Sequence, residues 1–377
     1  MFESLTYLQL QQYWWIIISL LGGLFAFMMF IQGGQTLLGK ISKDDEILKT
    51  MLVNSLGRKW ELGFTTLVLF GGALFAAFPL FYSTSFGGAY WVWMGILFCF
   101  IIQAVSYEFR TKPNNFFGQK TYETFLYING SLGVFLLGVA IATFFSGSEF
   151  FIDERNFSFW QNSLRGLEAL GNPFNILLGI SLLFLVRISG AMYFINNIDN
   201  NLIRKRSVNS IKIDMIIFLV FFLNFLYMLF TRSGFAYDEN GHVFIEKYKY
   251  LNNFLDMPFV GIIFTLGIIL VIISVFNTVE KQKSCCIKTG GVGIVLTVMA
   301  LFLNVGFNGT SYYPSVYNLQ SSLTIENSSG SEYTLLVMSY VSLMVPFVLA
   351  YITYAWYQMD KVKITKKEIT SKDAHNY

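Results

Sequence analysis

Charge is what this chain has least of. Asp, Glu, Lys and Arg make up only 13% of its 377 residues, against 54% hydrophobic residues. A mean hydropathy of +0.54 excludes the two or three soluble domains that the length would otherwise allow. Histidine is nearly absent, with only His242 and His375, neither in an apolar run. A haem or metal held inside a membrane usually takes an imidazole, thiolate or thioether from a helix. Only Met, Cys99 or Tyr remain for that role, and the thirteen Met scattered among Phe and Leu read as core filler. The same scarcity argues against a histidine proton relay. Three cysteines, Cys99 and the adjacent Cys285 and Cys286, cannot build a disulfide framework and read as reduced thiols. A basic excess is missing too: 26 Lys and Arg face 23 Asp and Glu, which leaves no face to displace counterions from nucleic acid. There is no phosphate-binding loop, no dinucleotide fingerprint and no metalloprotease motif. No basic segment and small-residue cleavage site precede the first apolar run, so that run is expected to stay as a helix.

What is present is a series of long uncharged runs. Nine candidate crossings lie at about 14–31, 62–82, 89–105, 124–145, 173–186, 215–230, 258–276, 290–309 and 333–357. The fifth and sixth are short, but 164–171 and 188–194 can extend the fifth and 210–214 can begin the sixth. No run alternates as an outer-membrane strand would, and each must satisfy its own backbone, so the expected fold is an all-α polytopic membrane protein of nine helices. The whole chain, 1–377, reads as one integral membrane domain with a short tail at 362–377. Twenty of the 26 basic residues fall in alternate loops and the tail, which places the N-terminus outside and the C-terminus in the cytoplasm. The aromatic share of 18% exceeds what interfacial belts need, so many Phe must face lipid or pack between helices.

Ionisable residues near a crossing are costly and draw attention first. Glu61, Glu108, Arg187 and Asp214 each sit at the basic end of a run. For Arg187 and Asp214 the simpler reading is an interfacial side chain that reaches water. Glu61 opens the second crossing and Glu108 closes the third, and a tight connection makes those helices antiparallel neighbours. Their carboxylates can then approach at the inner side, where partial burial would raise a pKa and permit proton relay. Gly33-Gly34 and Gly71-Gly72 suggest helix packing or breaks. Asn304, Asn308 and the Ser-, Thr- and Asn-rich stretch 318–331 read as an outer connector lying over the membrane surface. Asp238 to Gly241 reads as a turn, and Pro173 after Asn172 suits the first turn of a helix.

Several motifs in order resemble the second subunit of cytochrome bd quinol oxidase. They are Trp14-Trp15, Lys59-Trp60-Glu61, the segment from Phe70-Gly71-Gly72 to Phe78-Pro79, Ser106-Tyr107-Glu108-Phe109-Arg110, Asn172-Pro173-Phe174, Tyr313-Pro314, the run from Ser321 to Pro346, and Tyr354-Ala355-Trp356. The resemblance covers nearly the whole chain. It implies a nine-helix subunit of the bacterial inner membrane, paired with a partner that ligates the b-type and d-type haems, oxidises quinol and reduces oxygen to water. It also implies lipid contact, a small accessory subunit in some complexes, and a bound quinone or a share of the oxygen path in some members. By position, Glu61 and Glu108 correspond to family Asp residues assigned to proton uptake, with Trp60 beside the first. The chain departs from the family at Gln32, where a carboxylate is usual, at Gln103, where Arg is frequent, and after Glu61, where Leu62-Gly63-Phe64 replaces a Gly-Asn-Gln sequence and a following Trp is lost. A secondary transporter is the rival from another class, and a purely structural membrane partner is the third reading. Transporters commonly carry repeats with broken helices and midplane polar ligands, for which only Pro346 and the asparagines are candidates.

Overall fold

The computed structural model describes residues 2–43, 45–281 and 286–370. Helices form where the apolar runs predict them, because a backbone without water must bond within each crossing. Helix α1 (Tyr7–Met28) opens on a capping box: Thr6 accepts from the Gln9 backbone and the Gln9 side chain bonds back to Thr6. After a break at Met29, α2 (Phe30–Gln35) completes the first crossing. Helices α3 (Leu38–Ser42) and α4 (Glu46–Gly57) lead into α5 (Trp60–Ala77), and Pro79 opens α6 (Pro79–Tyr82). A π-helical turn at Ser83–Gly88 then delivers α7 (Tyr90–Phe109). Helices α8 (Gln119–Ile128) and α9 (Val134–Ser146) form one crossing around a second π-helical turn, Asn129–Gly133.

The fifth and sixth crossings, short as apolar runs, are among the longest helices. Helix α10 (Pro173–Asn197) has 25 residues, with the Asn172 side chain capping it and Pro173 in its first turn. Helix α11 (Asn201–Thr231) has 31 residues and is capped by Asn200. A short α12 (Lys249–Asp256) precedes α13 (Pro258–Val279) and α14 (Cys286–Gly306). The last crossing is a pair, α15 (Glu332–Ser342) and α16 (Val345–Asp360), bent by 41° beside Pro346; α17 (Lys366–Thr370) follows. Eight crossings by length and composition, with the bent pair as a ninth, account for all nine expected runs among the described residues.

Close backbone contacts set the packing. A Cβ on Gly33 would fall 1.8 Å from the Val186 carbonyl, and one on Gly190 would fall 2.4 Å from the Gly34 nitrogen. These small residues let α2 lie directly on α10. At Gly71-Gly72 the expected packing holds for Gly71 alone, where a Cβ would lie 3.7 Å from the Phe86 ring, while Gly72 faces open space.

At the end away from most Lys and Arg the chain is not all-helical. Strand β1 (Phe150–Ile152) pairs antiparallel with β2 (Ser158–Trp160), and β3 (Gly234–Tyr237) with β4 (Val243–Glu246). The second hairpin turns at Asp238–Gly241, where Gly241 takes a left-handed φ of 78°, as expected. The connector before α15 does not lie over the surface. Thr310, Ser311, Tyr312, Tyr313, Ser315 and Ser322 are all buried. Tyr312 packs among Trp15, Phe78, Phe81 and Phe144 and shares a hydrogen bond with Ser328. Ser and Thr hydroxyls make this burial possible by bonding the irregular backbone: Ser322 accepts from Ser315 N and Ser311 donates to Leu323 O. Burial pushes the Tyr312 and Tyr313 hydroxyls above their usual range, so both remain neutral.

Candidate functional site

The break at Met29 turns α2 so that Gln32 and Gln35 point at α7. The Gln32 amide donates to Gln103 Oε1 at 2.8 Å, and Gln35 donates to the same oxygen at 3.0 Å and to the Tyr107 hydroxyl at 3.1 Å. Gln32, Gln35, Gln103 and Asn129 are all fully buried. The π-helical turn at Asn129–Gly133 brings Gly130 so close that a Cβ there would lie 2.2 Å from Gln32 O, and such turns are frequent at functional sites. Gln32 Oε1, Gln35 Oε1, Gln103 Nε2 and both polar atoms of the Asn129 amide have no protein partner. Left unpaired, such groups cost about 1–3 kcal/mol each, which favours any further partner that can bond them.

Trp60 stacks on Tyr107 at 5.7 Å, and Phe64 meets Phe100 at 6.0 Å. The second and third crossings are therefore neighbours, as expected. The carboxylates beside this stack behave differently from expectation. Glu61 and Glu108 are both exposed on the isolated chain, so the partial burial foreseen for them is not supplied by their own subunit. Each ends an outward apolar stripe. On α5 the stripe is Glu61, Thr65, Val68, Gly72 and Phe75, all exposed, which also explains why Gly72 touches nothing. On α7 it is Trp91, Met94, Phe98, Ile101 and Glu108.

Three ion clusters close the same end, each joining residues from different helices. Asp214 is buried and takes a two-point bond from Arg187 at 3.2 Å for each contact, with Ser210 at 3.1 Å. Arg187 also donates to Thr36 at 2.9 Å. These two residues meet each other rather than reaching water independently. Asp360, unremarked in the sequence, accepts from Lys59 at 3.1 Å, Asn197 at 2.9 Å, Tyr193 at 3.2 Å and Trp356 at 2.7 Å. The signal was an acid closing the last apolar run, opposite in sign to the Lys that precedes the second. Glu123 joins Lys49 and a fully buried Arg110 at 3.1 and 2.9 Å.

His242 is exposed in the β3–β4 turn, while His375 and Cys285 lie outside the described residues. Cys99 and Cys286 are buried free thiols. Among the described residues no three His, Cys, Asp or Glu gather as metal ligands.

Residues 10–359 match the family model described as cytochrome bd terminal oxidase subunit II. The chain belongs to that family. It is 24% identical over 370 residues to cytochrome bd-I ubiquinol oxidase subunit 2 of Escherichia coli K12, covering 94% of this chain and 95% of that protein. It is 25% identical over 373 residues to cytochrome bd ubiquinol oxidase subunit 2 of Bacillus subtilis 168, covering 95% and 98%. The solved bd oxidase of Geobacillus thermodenitrificans shares the fold with a TM-score of 0.60 at 14% identity, over 92% of this chain and 98% of that one. As a subunit of a bd-type terminal oxidase, the chain is not a secondary transporter. Gln32 and Gln103, two of the positions at which the sequence departs from the motifs it resembles, are bonded to each other in this bd subunit II. Two neutral amides facing each other leave no unpaired ion in the interior.

Proposed function

We propose that this chain is the haem-free second subunit of a quinol oxidase of the bacterial cytoplasmic membrane, and that Glu61 and Glu108 pass cytoplasmic protons toward a haem-bearing partner. The observation that carries the reading is the family match across residues 10–359, without a gap in the crossings. Its own residues do not fit a haem: the two histidines are His242, in an exposed turn, and His375, far beyond the last crossing. Oxidation of quinol and reduction of oxygen therefore fall to the partner, whose b-type and d-type haems supply the redox chemistry.

The orientation follows from the loops. With most Lys and Arg at one end, that end is cytoplasmic, and the hairpins and the buried connector are outside. Reduction of oxygen to water consumes protons, so a subunit without redox groups can still limit turnover by delivering them. A carboxylate ending an apolar stripe is held where a docked helix would cover it. Covered in this way, it would be placed to accept and release protons away from bulk water. Trp60 and Tyr107 hold the two helices at a fixed spacing, and the Gln32–Gln103 pair offers its orphaned amide atoms to a further partner. A purely structural second subunit would differ only in whether the two acids matter. The test is purification of the native complex in mild detergent with an optical spectrum. A co-purifying subunit with haem supports the reading, and a haem-free, partnerless chain refutes it.

A further inference from the structure

A groove of about 230 Å³ runs along the membrane face between α11 and α13, floored by α14. Its walls are almost wholly apolar: Met215, Leu219 and Phe222 on one side, Ile268 and Ile272 on the other. The one polar side chain in the lining, Thr297, already donates its hydroxyl to Gly293 O at 2.9 Å. Nothing in the groove is left to bond a carbonyl or hydroxyl headgroup.

Cations wait at its basic end. Lys212, Met215, Leu219, Phe222 and Leu226 recur at three- and four-residue spacing, which puts Lys212 on the groove-lining face of α11, about 10 Å from Leu219 along the axis. On α13, Phe276 follows Ile272 by one turn and is exposed, and the Lys281 ammonium lies over its ring at 5.9 Å. Both lysines are exposed, and long apolar stems let such side chains carry their ammonium groups to a membrane boundary. Asp214 is buried and engaged by Arg187, with Lys40 at 3.7 Å, and Glu280 is the one exposed carboxylate beside Lys281.

We propose that this groove binds an anionic phospholipid, one acyl chain lying between α11 and α13 and the phosphate held by Lys212 and Lys281. Apolar walls without donors suit an acyl chain, and a lysine on α11 together with one just past the end of α13 suits a phosphodiester with no compensating amine. The site lies on helices other than the two that carry Glu61 and Glu108, so it stands apart from the proton role. The test is native mass spectrometry of the purified, detergent-delipidated complex offered equal phosphatidylglycerol and phosphatidylethanolamine. Wild type should retain phosphatidylglycerol several-fold more. K212Q/K281Q, which alters only exposed side chains, should lower phosphatidylglycerol several-fold and leave phosphatidylethanolamine unchanged. Leu219→Trp, which fills the groove, should reduce both. Equal retention of the two lipids by wild type, undiminished phosphatidylglycerol in either variant, or a quinone in place of phospholipid in the extracted native complex would each overturn the proposal.

Discussion

Replacing Asp360 by Asn tests the cluster that fastens the last crossing. The Lys59 side chain is fully buried and that of Asp360 only 9% exposed. Helix α16 has no fully buried side chain of its own, so its hold on the bundle rests largely on Asp360 and on Trp356, which stacks on Phe27 at 5.8 Å. In the native state Oδ1 accepts from Lys59, Tyr193 and Asn197 while Oδ2 accepts from Trp356. An asparagine can satisfy one group of donors only by turning its own NH₂ toward the other. It also leaves the Lys59 charge buried without a counter-ion. Breaking such a pair costs about 3–5 kcal/mol, which for a chain of this size corresponds to a drop of roughly 4–6 °C in melting temperature. Thermal unfolding of the detergent-solubilised complex, followed by size exclusion after heating, gives the readout. Lys59→Met combined with Asp360→Asn should recover part of the loss, because it removes the buried charge left without a counter-ion while keeping an acceptor for Asn197 and Tyr193. If Asp360→Asn melts with the wild type, or the double variant is no better than the single, the ion pair is not what holds α16.

Glu61→Gln and Glu108→Gln should assemble with haems intact and consume oxygen several-fold more slowly; wild-type rates across pH 6 to 8 in both variants would remove the proton role. A reporter fused at the C-terminus should read cytoplasmic and a tag inserted at 238–241 external, and finding both on one side would contradict the orientation. Replacing His242 and His375 together by Ala should leave the haem spectrum of the complex unchanged, whereas loss of a haem band would assign a ligand to this chain.

The crossings were legible because each is a local property. Twenty apolar residues have to span a bilayer whatever surrounds them, and Asn172-Pro173 or Asp238–Gly241 act within a turn of their own position. Glu61, Glu108, Trp60, Gln32 and Gln103 were also reached from the chain, through short motifs and departures from them. What the chain could not show was which residues meet. Arg187 and Asp214 lie 27 positions apart and Lys59 and Asp360 301 apart, and each looked like an end-of-helix charge in water until the helices were packed. The connector before α15 has the composition of a solvated loop, and its burial depends on aromatic neighbours drawn from the first, second and fourth crossings. Exposure followed the same rule: Glu61 and Glu108 face outward because their apolar stripes do, and that is settled by how α5 and α7 turn against the bundle. Spacing along one helix sets a stripe, but only the packed neighbours decide whether it is inside or out.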